Sequence, residues 1–204
     1  MPLRNRVDPF GRLVAVPERG LMMGNRGGRL HDPATRSLGA RSHVSRRWIA
    51  CALAFRGRRR EVWGGGYTEL FFCDEAVALA SGHRPCFECR RGEAQAFARA
   101  FAAGNGLPCP PPAEVMDRVL HRERLLPPAD RPQVDHRTLP DAAMVAIGDE
   151  AFLILGGRAR RFSFAGYGKD RELPVAARLL TPPSIVRALA AGYRPLLHPS
   201  ASSG

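Results

Sequence analysis

The stretch Gly82-His83-Arg84-Pro85-Cys86-Phe87-Glu88-Cys89-Arg90 says more about this 204-residue chain than any other. Two cysteines with two residues between them, approached through a glycine and a proline, make a tight hook whose thiolates converge on one metal ion. Gly82 and Pro85 shape the turn, and Arg84, Arg90 and Arg91 favour deprotonated sulfur. Redox motifs share the spacing, so what precedes the hook matters. Phe71-Phe72-Cys73-Asp74-Glu75-Ala76-Val77-Ala78-Leu79-Ala80 reads as the end of a strand running into a short Ala-rich helix that delivers the hook. A thioredoxin-type motif instead sits between a strand and the following helix, with its first cysteine at the helix start. Bound zinc, Zn2+, is the expectation.

The Phe-Phe pair, the acidic residue, the Ala-rich helix and then Gly-x-Arg-Pro-Cys-x-x-Cys-Arg resemble the second half of the Ada-type metal-binding domain of DNA repair. Related small zinc domains occur in other bacterial proteins. The first half of such modules often has Gly-Asn, a few polar residues, then His or Cys with a Cys four positions later. Gly24-Asn25-Arg26-Gly27-Gly28-Arg29-Leu30-His31 fits that start. The chain departs at the second ligand, where Thr35 stands in place of Cys. The resemblance spans roughly residues 21–91. It implies His31 as first ligand, Cys86 and Cys89 as the last two, and a DNA-facing surface. Methyl transfer to a first-position cysteine is not implied, because an imidazole is a poor acceptor.

A structural zinc takes four nitrogen or sulfur ligands in a tetrahedron. The candidates to complete the set are Cys51, Cys73, His43 and His83. Cys51 lies in Trp48-Ile49-Ala50-Cys51-Ala52-Leu53-Ala54-Phe55, an apolar run that reads as a buried strand. A cysteine there is commonly a small core residue. It is nevertheless the only cysteine between His31 and the lead-in strand, and is the first choice. Cys73 falls at a junction that Ada-type modules leave variable. His83 stands where they carry an aromatic, and a ring packed on the turn accounts for it. Cys109, between Pro108 and Pro110, reads as a plain thiol.

Charge points to the partner. The chain has 31 Lys and Arg against 19 Asp and Glu, a net charge of +12, with Lys169 its only lysine. A compositional drift toward Arg, Ala, Gly and Pro replaces Lys by Arg without creating surplus charge. The surplus is local: eight arginines and no acid lie between Pro33 and Arg60. A solvated basic face is the plain account of such a run. Beside a zinc hook, neutralisation of phosphates on a nucleic acid is the stronger one. The expected contacts are Arg46, Arg47, Arg56, Arg58, Arg59, Arg60, Arg84, Arg90 and Arg91, with DNA the first expected partner. Five cysteines and no apolar leader argue for a reducing, cytoplasmic setting. No apolar run approaches a membrane span.

The expected fold class is α+β, a small mixed sheet carrying the zinc hook followed by a second α+β half. Residues 1–106 read as the Ada-like domain, 107–134 as a Pro-rich linker with a helix, and 135–204 as the second half. Strands are expected over Leu21–Gly24 and Tyr67–Phe72, and a hairpin of Trp48–Phe55 with Arg60–Trp63 around Gly57. Ala143–Ile147 and Ala151–Phe152 through Leu155 form another hairpin, with further strands over Arg160–Phe164 and Ala177–Leu180. Ala188-Leu189-Ala190-Ala191-Gly192-Tyr193-Arg194-Pro195 echoes Ala78-Leu79-Ala80-Ser81-Gly82-His83-Arg84-Pro85. Either the second half is a repeat that lost its metal, or helix-Gly-x-Arg-Pro is a shared helix ending. Asp135, His136 and Asp141 offer an acid–base set, but in a Pro-rich stretch without helical spacing a surface loop fits better. Ser163 lacks the preceding glycine of a nucleophile elbow. A non-enzymatic role is favoured; a nuclease or repair enzyme with its site in the C-terminal half, or a metal-stabilised protein-interaction module, are the alternatives.

Overall fold

Apolar runs rich in aromatic and β-branched residues need hydrogen-bonded neighbours on both edges, and here they find them across long sequence separations. The computed structural model describes residues 1–58 and 61–202, an α+β fold with two six-stranded sheets. The first begins with β1 (Arg6–Val7), β2 (Leu13–Val14) and β3 (Met22–Arg26). Outside it, β4 (His31–Asp32) and β5 (Ser37–Leu38) pair only with each other. It is completed by β6 (Trp48–Ala52), β7 (Leu70–Phe72) and, beyond helix α1 (Glu75–Ala80), β8 (Arg84–Pro85). The order is β2-β1-β7-β3-β6-β8. The sheet is mixed: β7 lies parallel to β1 and β8 parallel to β6, while β3 runs antiparallel to both neighbours.

Among the described residues, the second strand of the hairpin expected around Gly57 is absent. Arg60 lies outside the described residues, and residues 61–63 make a turn. Trp63 takes φ +61° and is tied to Glu69, its backbone N–H donating to Oε2 at 2.9 Å and its indole to the Glu69 carbonyl at 3.1 Å. Both edges of β6 are instead taken by β3 and β8.

Helices α2 (Arg91–Gly104) and α3 (Ala113–Arg124) follow the hook. The second sheet comprises β9 (Gln133–Asp135), β10 (Met144–Ile147), β11 (Glu150–Leu155), β12 (Arg158–Ser163), β13 (Gly166–Arg171) and β14 (Ala176–Leu179), and the chain then enters α4 (Pro183–Ala190). This sheet is antiparallel throughout, in the order β13-β12-β11-β10-β14-β9. The polar strand β13 has no apolar alternation to announce it. Ion pairs from Asp170 to Arg158 and Arg160 on β12, at 2.7 and 2.9 Å, hold it in register.

One apolar cluster runs from Val7 to Ala201 and crosses both expected domain boundaries. All six residues of α1 are buried, and their small side chains let the helix pack on both β7 and β10. Helix α3, in the stretch expected as a linker, fully buries Met116 and Leu120. Burying a side chain of that size contributes about 1.5–3 kcal/mol, so this segment belongs to the core. Helices α2 and α4 approach so closely that a Cβ on Gly104 would lie 2.2 Å from the Arg187 carbonyl oxygen. The sequence echo is a shared helix ending. His83 donates its N–H to Ala78 O at 2.9 Å and Tyr193 to Ala188 O at 3.1 Å, with Gly82 and Gly192 at φ +80° and +101°. The sheets that feed the two helices differ in topology.

Two buried ion pairs fasten the hook. Arg90 meets Glu75 in a bidentate pair at 2.7 and 2.8 Å, their side chains 6% and 1% exposed. Glu75 also accepts from the Tyr193 hydroxyl at 2.6 Å and the Leu196 N–H at 2.9 Å. Arg84 forks onto Asp117 of α3 with two contacts of 2.8 Å. Between the arginines, the buried His83 ring lies 5.0 Å from Trp48 and 4.7 Å from Phe72. Guanidiniums of Arg26 and Arg124 each sit 4.0 Å from the Trp48 ring centroid. Burial, with those two cations nearby, holds the His83 imidazole well below its ordinary pKa.

Removing one partner of a buried pair leaves the other charge uncompensated, so Arg90→Ala is expected to lower unfolding free energy by about 3–5 kcal/mol. Urea denaturation of the variant and of Glu75→Leu/Arg90→Met is the measurement, and the double variant should recover part of the loss. The His83 imidazole is neutral in the fold and takes a proton only on unfolding, once pH drops below about 6.5. Its contribution is therefore complete above that pH and is lost as pH falls. Denaturation between pH 7.5 and 5.5 should show wild type losing up to about 1.4 kcal/mol per pH unit more than His83→Phe.

Candidate metal centre

Parallel pairing of β6 with β8 sets Ala50 opposite Pro85. The Cys86 N–H then donates to the Ala50 carbonyl at 2.9 Å, which places Cys86 beside Cys51 on β6. The hook turns back as the Arg90 N–H donates to the Cys86 carbonyl at 3.0 Å, and Cys89 comes round to the same side. The sulfur atoms of Cys51, Cys86 and Cys89 all lie within 4.8 Å of one another. Zinc–sulfur bonds of about 2.3 Å place tetrahedral sulfurs roughly 3.8 Å apart, so the trio needs only a small contraction to hold a metal ion.

Hydrogen bonding already favours sulfur as an anion. The Ala52 N–H points to Cys89 Sγ and the Glu88 N–H to Cys86 Sγ, both at 3.4 Å. Helix α2 starts directly after the hook and directs its positive end toward it. The Cys51 and Cys89 thiols hydrogen-bond to Cys86 and hold its pKa well below the usual thiol range. That hydrogen bond, with burial, pushes the Cys51 thiol up. Cys89 is pulled down by Cys51 and pushed up more by Cys86 and by burial, so its pKa is raised. Three sulfurs this close ionise together only around a cation. A buried Cys51/Cys86/Cys89 cluster able to bind a metal ion is the chemistry the geometry provides.

His31 stands apart from the trio, as a correction to its expected place there. Its ring stacks on Trp63 at 5.2 Å, Nδ1 lies 2.7 Å from the Thr68 hydroxyl and Nε2 3.0 Å from the Gly64 carbonyl. The carbonyl only accepts, so Nε2 donates and Nδ1 accepts from Thr68. Neither nitrogen is left for a metal. Among the described residues, no other His, Cys, Asp or Glu joins the three cysteines. Cys73 is buried in the core at the head of α1, where burial pushes its thiol up to about 12. His83 packs against aromatic rings, His43 lies 5.1 Å from His121, and Cys109 is exposed.

The arginines divide into two groups. Arg84 and Arg90, expected on a basic surface, are withdrawn from it by the buried pairs with Asp117 and Glu75. Arg46, Arg47, Arg56, Arg58 and Arg91 are exposed, Arg58 reaching Glu88 at 2.6 Å. Arg59 and Arg60 lie outside the described residues. The acid–base candidates have local duties: Asp135 pairs with Arg137, His136 Nδ1 faces the Val175 carbonyl, and Asp141 accepts the Gly156 N–H.

All three cysteines line one cavity of about 350 Å3, with walls that include Met23, Ile49, Phe55 and Phe71 and with Arg19, Arg58, Asn25 and Glu69 among its polar groups. Sequence reading missed this cavity, because its walls come from segments that only the β3-β6-β8 pairing brings together. No family model, curated protein or solved structure matches the chain. No helix among the described residues is long and apolar enough to cross a membrane.

Cys51→Ala, Cys86→Ser and Cys89→Ser are each expected to lose metal, while Cys73→Ala and Cys109→Ala keep about one ion per chain. Elemental mass spectrometry of the five purified variants is the check, and retention in Cys51→Ala would remove β6 from the site.

Proposed function

We propose that this is a zinc-stabilised nucleic-acid-binding protein, with DNA its first partner and DNA repair or processing its setting. The observation that carries the reading is a three-cysteine centre beside exposed arginines. Arg46 and Arg47 lead into β6, which holds Cys51, while Arg56 and Arg58 follow it and Arg91 follows the hook. Thiolate ligands in a tetrahedral arrangement suit zinc. In this reading the ion ties β6 to the hook, and the arginines on either side neutralise phosphates. The resemblance of the hook to Ada-type domains supports the DNA setting but carries no methyl-acceptor chemistry here, since His31 is engaged by Thr68 and Gly64.

Binding of a short DNA duplex across a salt series tests the partner. The variant with Arg46, Arg47, Arg56 and Arg58 all changed to Ala is expected to bind more weakly. Each phosphate contact contributes a slope of about 0.9 in log affinity against log salt, so the slope should fall by about 3 to 4. Unchanged affinity and slope, with zinc retained, would make the arginines a solvated surface and favour a protein-interaction module.

A further inference from the structure

We infer that the cavity over the three cysteines binds a small organic thiol bearing an acidic group, whose sulfur becomes the fourth ligand of the metal. This rests on the metal reading above and adds what completes the site. Structural zinc is closed by four protein ligands, whereas a site with three protein ligands accepts an outside one. Here the described residues supply three, and the sulfurs face a cavity of about 350 Å3, enough for a molecule of several heavy atoms.

The protein's own oxygen donors nearby have other partners. Glu69 accepts the Trp63 N–H at 2.9 Å, and Glu88 is held by Arg58 at 2.6 Å. Three thiolates make the metal favour a soft fourth donor, and their electron donation weakens its ability to acidify bound water. Sulfur is therefore the preferred outside atom. When the metal–sulfur bond forms, the S–H bond breaks and its proton passes to solvent; nothing is oxidised or reduced.

The cavity walls define the rest of the molecule. Ile49, Met23, Phe55 and Phe71 cover an apolar body. At the rim, the exposed Arg19 guanidinium lies 5.6 Å from the Phe71 ring centroid and that of Arg58 5.4 Å from Phe55. A dication with three thiolates carries one net negative charge and a fourth thiolate makes two. Arg58 is already paired with Glu88, so Arg19 is the rim cation that receives an acidic group on the thiol.

Cobalt exchanged for zinc in the full-length protein, kept reduced with a phosphine, gives a visible spectrum that reports the ligand set. Titration with 3-mercaptopropionate is expected to raise the sulfur-to-cobalt charge-transfer band by about one third, as three metal–sulfur bonds become four, and to release one proton per thiol bound. Propionate should leave the spectrum unchanged. Arg19→Ala should weaken 3-mercaptopropionate by about fivefold and 2-mercaptoethanol by less than about twofold. A spectrum that no thiol alters, or one that propionate alters equally, overturns the proposal and leaves the metal reading standing. Equal weakening of both thiols overturns the acidic group. A wild-type protein that retains no metal overturns both readings.

Discussion

Arg90 and Glu75 meet in the interior with neither charge exposed, and that pair joins three parts of the chain. Arg90 immediately follows Cys89, Glu75 opens α1, and Tyr193 and Leu196 donate to the same carboxylate from beyond α4. An unpaired carboxylate in that position is costly to desolvate. Here its oxygens take four donors, two of them from one planar guanidinium, so the geometry tolerates little displacement. Asp74, one residue earlier, caps α1 at Val77 and accepts from the Tyr167 hydroxyl and the His198 N–H. Two successive acids thus bind the C-terminal half to the helix that delivers the hook. The metal centre is supported from behind by residues that lie 93 or more positions beyond these two acids.

The same arrangement explains the division among the arginines. A net charge of +12 describes a total and says nothing of location. Arg84 and Arg90 flank the cysteines in sequence, and local spacing suggested a role in lowering thiol pKa or in binding phosphate. Each instead has a carboxylate buried beside it, and each shapes the hook through the position it fixes. Among the described residues, Arg26 and Arg124 have no carboxylate in ion-pair contact; desolvation lowers each to about 9, and both rest on the Trp48 ring. A guanidinium tolerates this because its charge is delocalised and it stacks well on indole.

What was legible in the sequence was what is local. The strand leading into α1, the glycine-terminated helix end, and the convergence of Cys86 and Cys89 depend on residues within one turn of each other, and spacing records them. Cys51 was reachable by elimination. Its actual position depends on the parallel pairing of β6 with a strand only two residues long, and no periodicity can signal a strand that short. His31 illustrates the opposite failure. The resemblance named His31 as a ligand, but pattern cannot reveal that Thr68 and Gly64 occupy both ring nitrogens. The hairpin around Gly57 failed for a related reason, since Glu69 anchors Trp63 and β8 takes the edge of β6. The polar β13 gave no signal because Tyr167 is its only large apolar side chain, and main-chain pairing and ion pairs with β12 hold the rest.

These long-range pairings also explain why the cavity lies where it does. Strand β3 pairs with β6 from Met22 to Arg26, which puts Met23 and Asn25 on the side of the sheet that Cys51 faces. The turn at Trp63 returns the chain to Tyr67 and Glu69 on the same side. The hook closes the space from one end, with Cys86 and Cys89 directed inward and Glu88 at the rim. With the His31 ring committed to Thr68 and Gly64, three sulfurs face a partly open space whose walls are mostly apolar. A metal held there meets whatever that space admits, and its chemistry is then set by the walls as much as by the three cysteines.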